Sequence, residues 1–111
     1  MDIITERLHA LTDAMRNTVD YQSYRKLEAE LDKDKELKKR VDEFRLRSFS
    51  LQKKDDVDLF DAVDDIDREF GELRKNPVVE EYLEAELSVC RMIQKVFEAI
   101  NHEVKVDVPQ M

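Results

Sequence analysis

The side chains that could do chemistry in this chain are few and scattered. The one cysteine, Cys90, and the two histidines, His9 and His102, have no metal-ligand spacing to one another or to a cysteine cluster. There is no glycine-rich phosphate loop and no GxSxG nucleophile turn. Cys90 falls on or beside an apolar helical stripe, where a buried and inert thiol is expected. As a nucleophile it would need an activating base, and none is evident. His9 lies beside a stripe and is expected to face solvent. No catalytic residue, metal ligand or cofactor site is expected.

Charge is the richer signal. Residues 35–54 form a basic helical run, with Lys35, Lys38, Lys39, Arg40, Arg45, Arg47, Lys53 and Lys54 outweighing Glu36, Asp42 and Glu43. Residues 55–72 are strongly acidic, with Arg68 as their only base. The main reading is an antiparallel hairpin with complementary flanks, in which charge steers register more than it stabilises, since exposed pairs are worth about 0–1 kcal/mol each. The second reading is an RNA surface on the basic helix. A calcium loop does not fit the acidic run, because the sharp-turn glycine is missing and the spacing is helical.

Glu86 is the most unusual residue. It occupies the apolar seam of a long helix, where a carboxylate must be paired, hydrogen-bonded or at an open edge. Tyr21, Tyr24 or an arginine of the basic helix could partner it. Glu86 is read first as a buried group that fixes helix register, and second as a polar anchor in a partner-binding groove. Tyr21 and Tyr24 read first as core edges with wet hydroxyls, and second as a ligand platform.

These residues need elements to position them. From Asn76 to about Glu103 the spacing predicts one long helix, with Asn76 as N-cap, Pro77 at the first helical position, and Glu80 and Glu81 near the positive end of the dipole. Val79, Tyr82, Leu83, Val89, Ile93, Phe97, Ile100 and Val104 recur on one face. Ile4, Leu8, Leu11 and Met15 predict a first helix over 2–16. Tyr21, Tyr24, Leu27 and Leu31 predict a second over 19–33, capped by Thr18 or Asp20. Asp34 caps a third helix over 35–53 that carries Leu37, Val41 and Phe44. Leu46 and Phe49 lie off that stripe and suggest a second neighbour or another subunit. A fourth helix begins with a capping-box-like Asp55 and Asp58 and runs to about Lys75. Gly71, within it, either permits close backbone packing or loosens the helix.

The expected fold is therefore all-α: a bundle of four to five helices with an antiparallel hairpin and a long C-terminal helix. A single domain over 1–104 is expected, with a flexible tail over 105–111. Composition agrees. Of 111 residues 41% are charged and 41% hydrophobic, with one glycine and no tryptophan, which disfavours sheet and glycine-rich nucleotide folds. A net charge of −8 disfavours general binding to nucleic acid or anionic membrane. One cysteine, an acidic N-terminus and no long apolar run lead to the expectation of a soluble, cytoplasmic protein.

The string Asn76-Pro77-x-Val79-x-x-Tyr82-x-x-Ala85-Glu86 resembles a signature of the YlbF/YmcA/YheA family of small bacterial helical proteins. Tyr21-x-x-Tyr24, Leu31 and Asp34-Lys35-Glu36-Leu37 resemble a second segment of that family, with Lys35 where proline is common. The similarity covers about residues 3–103. It implies an all-α cytoplasmic protein that forms homo-oligomers, dimers or larger, or hetero-complexes with related YlbF-type subunits. Characterised relatives are regulators without known enzymatic activity, linked to competence, sporulation and biofilm formation, and to a complex directing an endoribonuclease in messenger RNA processing. Some relatives carry an iron–sulfur cluster, but Cys90 alone cannot hold one within a subunit. The functional expectation is a non-catalytic interaction or regulatory protein, with RNA binding by residues 35–54 as the alternative. The candidate interaction or structural residues are Tyr24, Leu46, Phe49, Asn76, Pro77, Tyr82 and Glu86.

Overall fold

Five helices make up a computed structural model that describes residues 2–52 and 59–107, and no strand occurs among these residues. They are α1 (Ile3–Arg16), α2 (Val19–Asp32), α3 (Lys35–Gln52), α4 (Leu59–Arg74) and α5 (Pro77–Glu103). The capping-box start expected at Asp55 and Asp58, and the end of the tail beyond residue 107, lie outside the described residues.

Polar side chains set most of the boundaries. The Asp2 carboxylate accepts from the Thr5 amide at 2.8 Å, Thr18 Oγ1 from the Tyr21 amide at 3.2 Å, and Asp34 from the Leu37 amide at 3.1 Å. Each satisfies an amide that has no partner inside its own helix. Of the two caps expected for α2, Thr18 takes the role. Asn76 Oδ1 accepts from the Val78 amide at 3.0 Å, and Pro77 follows at the first position of α5. The chain thus leaves α4 and re-enters helix within three residues.

The core lies where α2, α3, α4 and the first half of α5 converge. Leu31, Val41, Phe70, Val79 and Tyr82 are almost wholly buried there, joined by Ile66 and Leu73. Each large apolar side chain in such a place contributes about 1.5–3 kcal/mol. α2 runs along α5, and α3 pairs with α4 as the hairpin. The Phe44 and Phe70 rings meet edge to face at 5.4 Å between centroids, a favoured aromatic geometry.

The periphery is open. α1 buries no residue at all, and the stripe of α5 emerges into solvent past Val89, with Ile93, Phe97, Ile100 and Val104 each more than half exposed. The radius of gyration is 18.1 Å, against about 13 Å for a compact chain of this length. The expected apolar face of α5 is present, but the chain itself covers only half of it.

At Gly71 a Cβ would meet nothing within 4 Å, and no glycine has positive φ. The close-packing explanation for this residue is therefore excluded. Gly71→Ala is expected to stabilise the protein by about 0.5–1 kcal/mol, by lowering the entropy of the unfolded chain. Urea denaturation followed by circular dichroism would show the midpoint rise.

Candidate functional site

Tyr82 is the hub of the cluster that the sequence singles out. It projects from the second turn of α5 and is 1% exposed. The half-buried Tyr24 of α2 stacks on it with ring centroids 5.5 Å apart and planes inclined by 25°, and Tyr21 lies tilted against Tyr24 at 6.3 Å. The Arg45 guanidinium of α3 sits over the Tyr82 ring at 5.8 Å. One turn along α5 from Tyr82, Glu86 Oε2 lies 2.8 Å from Arg45 Nε, with both side chains largely shielded from water.

The required partner of Glu86 is therefore an arginine of the third helix. These two atoms are sealed from solvent and have no aligned hydrogen-bond partner among the described residues. Their approach is that of an ion pair whose angle departs from a straight N–H···O line. Asp42 lies further off at 3.4 Å from the other end of the guanidinium. Burial works to lower the Arg45 pKa, but Glu86, then Tyr82, Tyr24 and Asp42, raise it on balance. Arg45 is a fixed cation.

The hydroxyls of the two stacked tyrosines resist ionisation. Burial first, and then the neighbouring Tyr82 hydroxyl, push the Tyr24 phenol far above its ordinary 10.0. Burial also raises Tyr82. The pair reads as a packed, protonated core edge.

Beside this cluster α3 and α5 leave an open groove of about 400 Å³, lined by Phe44, Arg45, Ser48 and Phe49 from one side and Leu83, Glu84, Glu86, Leu87 and Cys90 from the other. Arg74 and Glu80 complete the lining, joined by two contacts at 3.1 and 3.2 Å. Phe49 and Leu87 are about half exposed, and Leu46, one turn before Phe49, is 67% exposed. Cys90 corrects an expectation. Its thiol is exposed, because the stripe of α5 turns out from under α2 and α3 at this point.

The candidate residues thus separate by role. Asn76 and Pro77 start α5 and do not touch the groove. Tyr24 and Tyr82 build the wall behind it, Glu86 and Phe49 line it, and Leu46 lies beyond its rim. Sequence reasoning missed Arg45 as the individual partner. Its spacing of four from Phe49, on the flank of α3 that carries the off-stripe residues, was the available signal.

The basic character of α3 is largely spent within the molecule. Arg40 donates to the Glu69 carbonyl at 3.2 Å and lies over Phe70, Arg47 pairs with the Glu69 carboxylate, and Lys38 holds Asp42 at 2.8 Å. The two contacts to Glu69 are the cross-hairpin pairing expected from the charge runs, whereas Lys38–Asp42 lies within α3. Lys53 and Lys54 lie outside the described residues. Among the described residues no group of three or more His, Cys, Asp or Glu could hold a metal ion, and no helix is long and apolar enough to cross a membrane.

Residues 4–105 match the family model described as control of competence regulator ComK, YlbF/YmcA. No curated protein and no solved structure matches the chain.

Two outcomes follow from the cluster. Glu86→Ala strands the Arg45 guanidinium and is expected to cost about 1–3 kcal/mol, while Glu86→Gln keeps an acceptor and costs less. Equal and negligible shifts in the urea midpoints of both variants would contradict the pairing. A tyrosine that keeps its proton more tightly when folded contributes stability that is fully present below the ordinary pKa and is lost as pH rises through the raised one. Stability is therefore expected to fall above pH 10.0, and tyrosinate absorbance of this pair to appear only with unfolding.

Proposed function

The chain belongs to the YlbF/YmcA family, and from that premise we propose that it is a non-catalytic regulatory adaptor, working in the cytoplasm by docking a helix of a partner protein into the α3–α5 groove. The observation that carries this reading is the groove itself. Phe49, Leu87 and Leu83 supply an apolar floor and rim, while the Arg45–Glu86 pair places fixed charges of opposite sign along one wall. An amphipathic helix fits such a surface, burying an apolar stripe and meeting the charges with its own polar flank. A catalytic role has no support in the cluster, whose tyrosines stay protonated and whose carboxylate is tied to an arginine.

The family is described by its control of a competence regulator, and regulation through protein contact suits a chain that offers an open groove between two helices. The partner class that follows is a protein of a regulatory assembly, with related family subunits or an RNA-processing complex foremost. The alternative of direct RNA binding is weakened by the intramolecular engagement of Arg40, Arg45 and Arg47.

The test is affinity capture of the tagged full chain from its native host, with and without ribonuclease. Wild type is expected to retain protein partners after ribonuclease treatment. Phe49→Glu with Leu87→Glu, both at exposed positions, is expected to reduce their recovery by about tenfold or more. Partners that vanish on RNA digestion, or that bind the double variant equally well, would overturn the groove reading.

A further inference from the structure

The charges of the α3–α5 groove say which kind of helix fits it. Its apolar surface comes from Phe44 and Phe49 of α3 and from Leu83 and Leu87 of α5. Two arginines and three glutamates share the lining, and both arginines are already engaged. Arg45 lies 2.8 Å from Glu86, with Asp42 at the other end of its guanidinium. Arg74 meets both carboxylate oxygens of Glu80, at 3.1 and 3.2 Å. Glu84 is the lining carboxylate that neither arginine takes.

The edge of α5 around Glu84 has the same sign. Residues 80–86 hold Glu80, Glu81, Glu84 and Glu86 and no basic residue, and Glu81 and Glu84 are exposed. Arg74 feels Glu80 first, through their hydrogen bonds, and then Asp67 and Glu84, which together raise its pKa against the effect of burial. The base at this edge is outnumbered by acids.

A helix docked in the groove lays an apolar stripe on Phe49 and Leu87 and turns one polar flank toward this glutamate edge. A carboxylate on that flank would meet like charge. A lysine or arginine would meet Glu84 without breaking either internal ion pair. Spacing adds to the match. Glu80 and Glu84 are four apart on α5, roughly 5–6 Å between Cβ atoms, so cations three or four residues apart on a partner helix reach both. The lining runs along α5 from Glu80 to Cys90, a rise of roughly 15 Å, which about three turns of helix would fill.

We propose that the occupant of the groove is a cationic amphipathic helix of a partner protein, with its apolar stripe on Phe49, Leu83 and Leu87 and lysine or arginine on the flank facing Glu84. This assignment rests on the docking reading of the groove and adds the charge of the ligand.

Fluorescence polarisation of two labelled synthetic helices against the full chain tests it. The peptides share one leucine stripe and differ only in their flanks, lysine in one and glutamate in the other. Wild type is expected to bind the lysine peptide about tenfold more tightly than the glutamate peptide, with the difference shrinking as salt is raised. Glu84→Lys, at an exposed position, should erase most of that preference. Asp64→Lys makes the same change of charge at an exposed position of α4 outside the groove lining, and should leave the preference in place. Phe49→Ser with Leu87→Ser removes apolar surface without changing charge and should abolish binding of both peptides. Equal binding of the two peptides by wild type, a preference for the glutamate peptide, or equal responses to Glu84→Lys and Asp64→Lys would overturn the cationic assignment alone. Failure of wild type to bind either peptide, or binding indifferent to the double serine variant, would overturn the docking reading and this assignment with it.

Discussion

The burial of Tyr82 against α2 and α3 constrains nearly everything else in the molecule. Its ring must be flanked by apolar or aromatic surface, which Tyr24 provides from α2. Its outer face must be closed from α3, which the Arg45 guanidinium does at 5.8 Å. Placing Arg45 there takes a cation partly out of water, and Glu86, one turn along α5, compensates it. Three helices are thereby locked in register by one aromatic ring and one ion pair. The pair stabilises little in net terms, since desolvation offsets much of its attraction. Its effect is to make other registers costly, because a slipped helix would leave a charge stranded.

That lock also bounds the open groove between α3 and α5. Arg45 and Glu86 stand between the packed core and the open groove, so the same side chains that hold α3 to α5 also line the groove beside Phe49 and Leu87. The hairpin charges do a different job. Arg40 and Arg47 converge on Glu69, exposed contacts worth little individually that favour one pairing of α3 with α4. An acidic protein with a basic helix thus uses its positive charge mostly on itself.

Much of this was legible from the sequence, and the limits have physical causes. The start of α5 could be read from Asn76-Pro77, because a cap and a first-turn proline act locally. The hairpin could be read from opposite charge runs, and the need of Glu86 for a partner from the cost of burying a lone carboxylate. Periodicity, however, defines a face and does not say which neighbour covers it. The stripe of α5 reads as continuous from Val79 to Val104, yet only its first half is buried by the chain, and Cys90 is exposed for that reason. Which of several arginines meets Glu86 depends on the crossing of α3 and α5, a tertiary quantity. Gly71 was ambiguous because the space around it is set by neighbours distant in sequence.

The central claim is that α5 is one helix with two differently supported halves, the first fixed by Tyr82 and its neighbours and the second left largely exposed by the rest of the chain. Amide hydrogen exchange along α5 tests this most directly, since local stability follows local burial. The account predicts strong protection from Val79 to Val89 and markedly weaker protection from Ile93 to Glu103. Equal protection of both halves would contradict it.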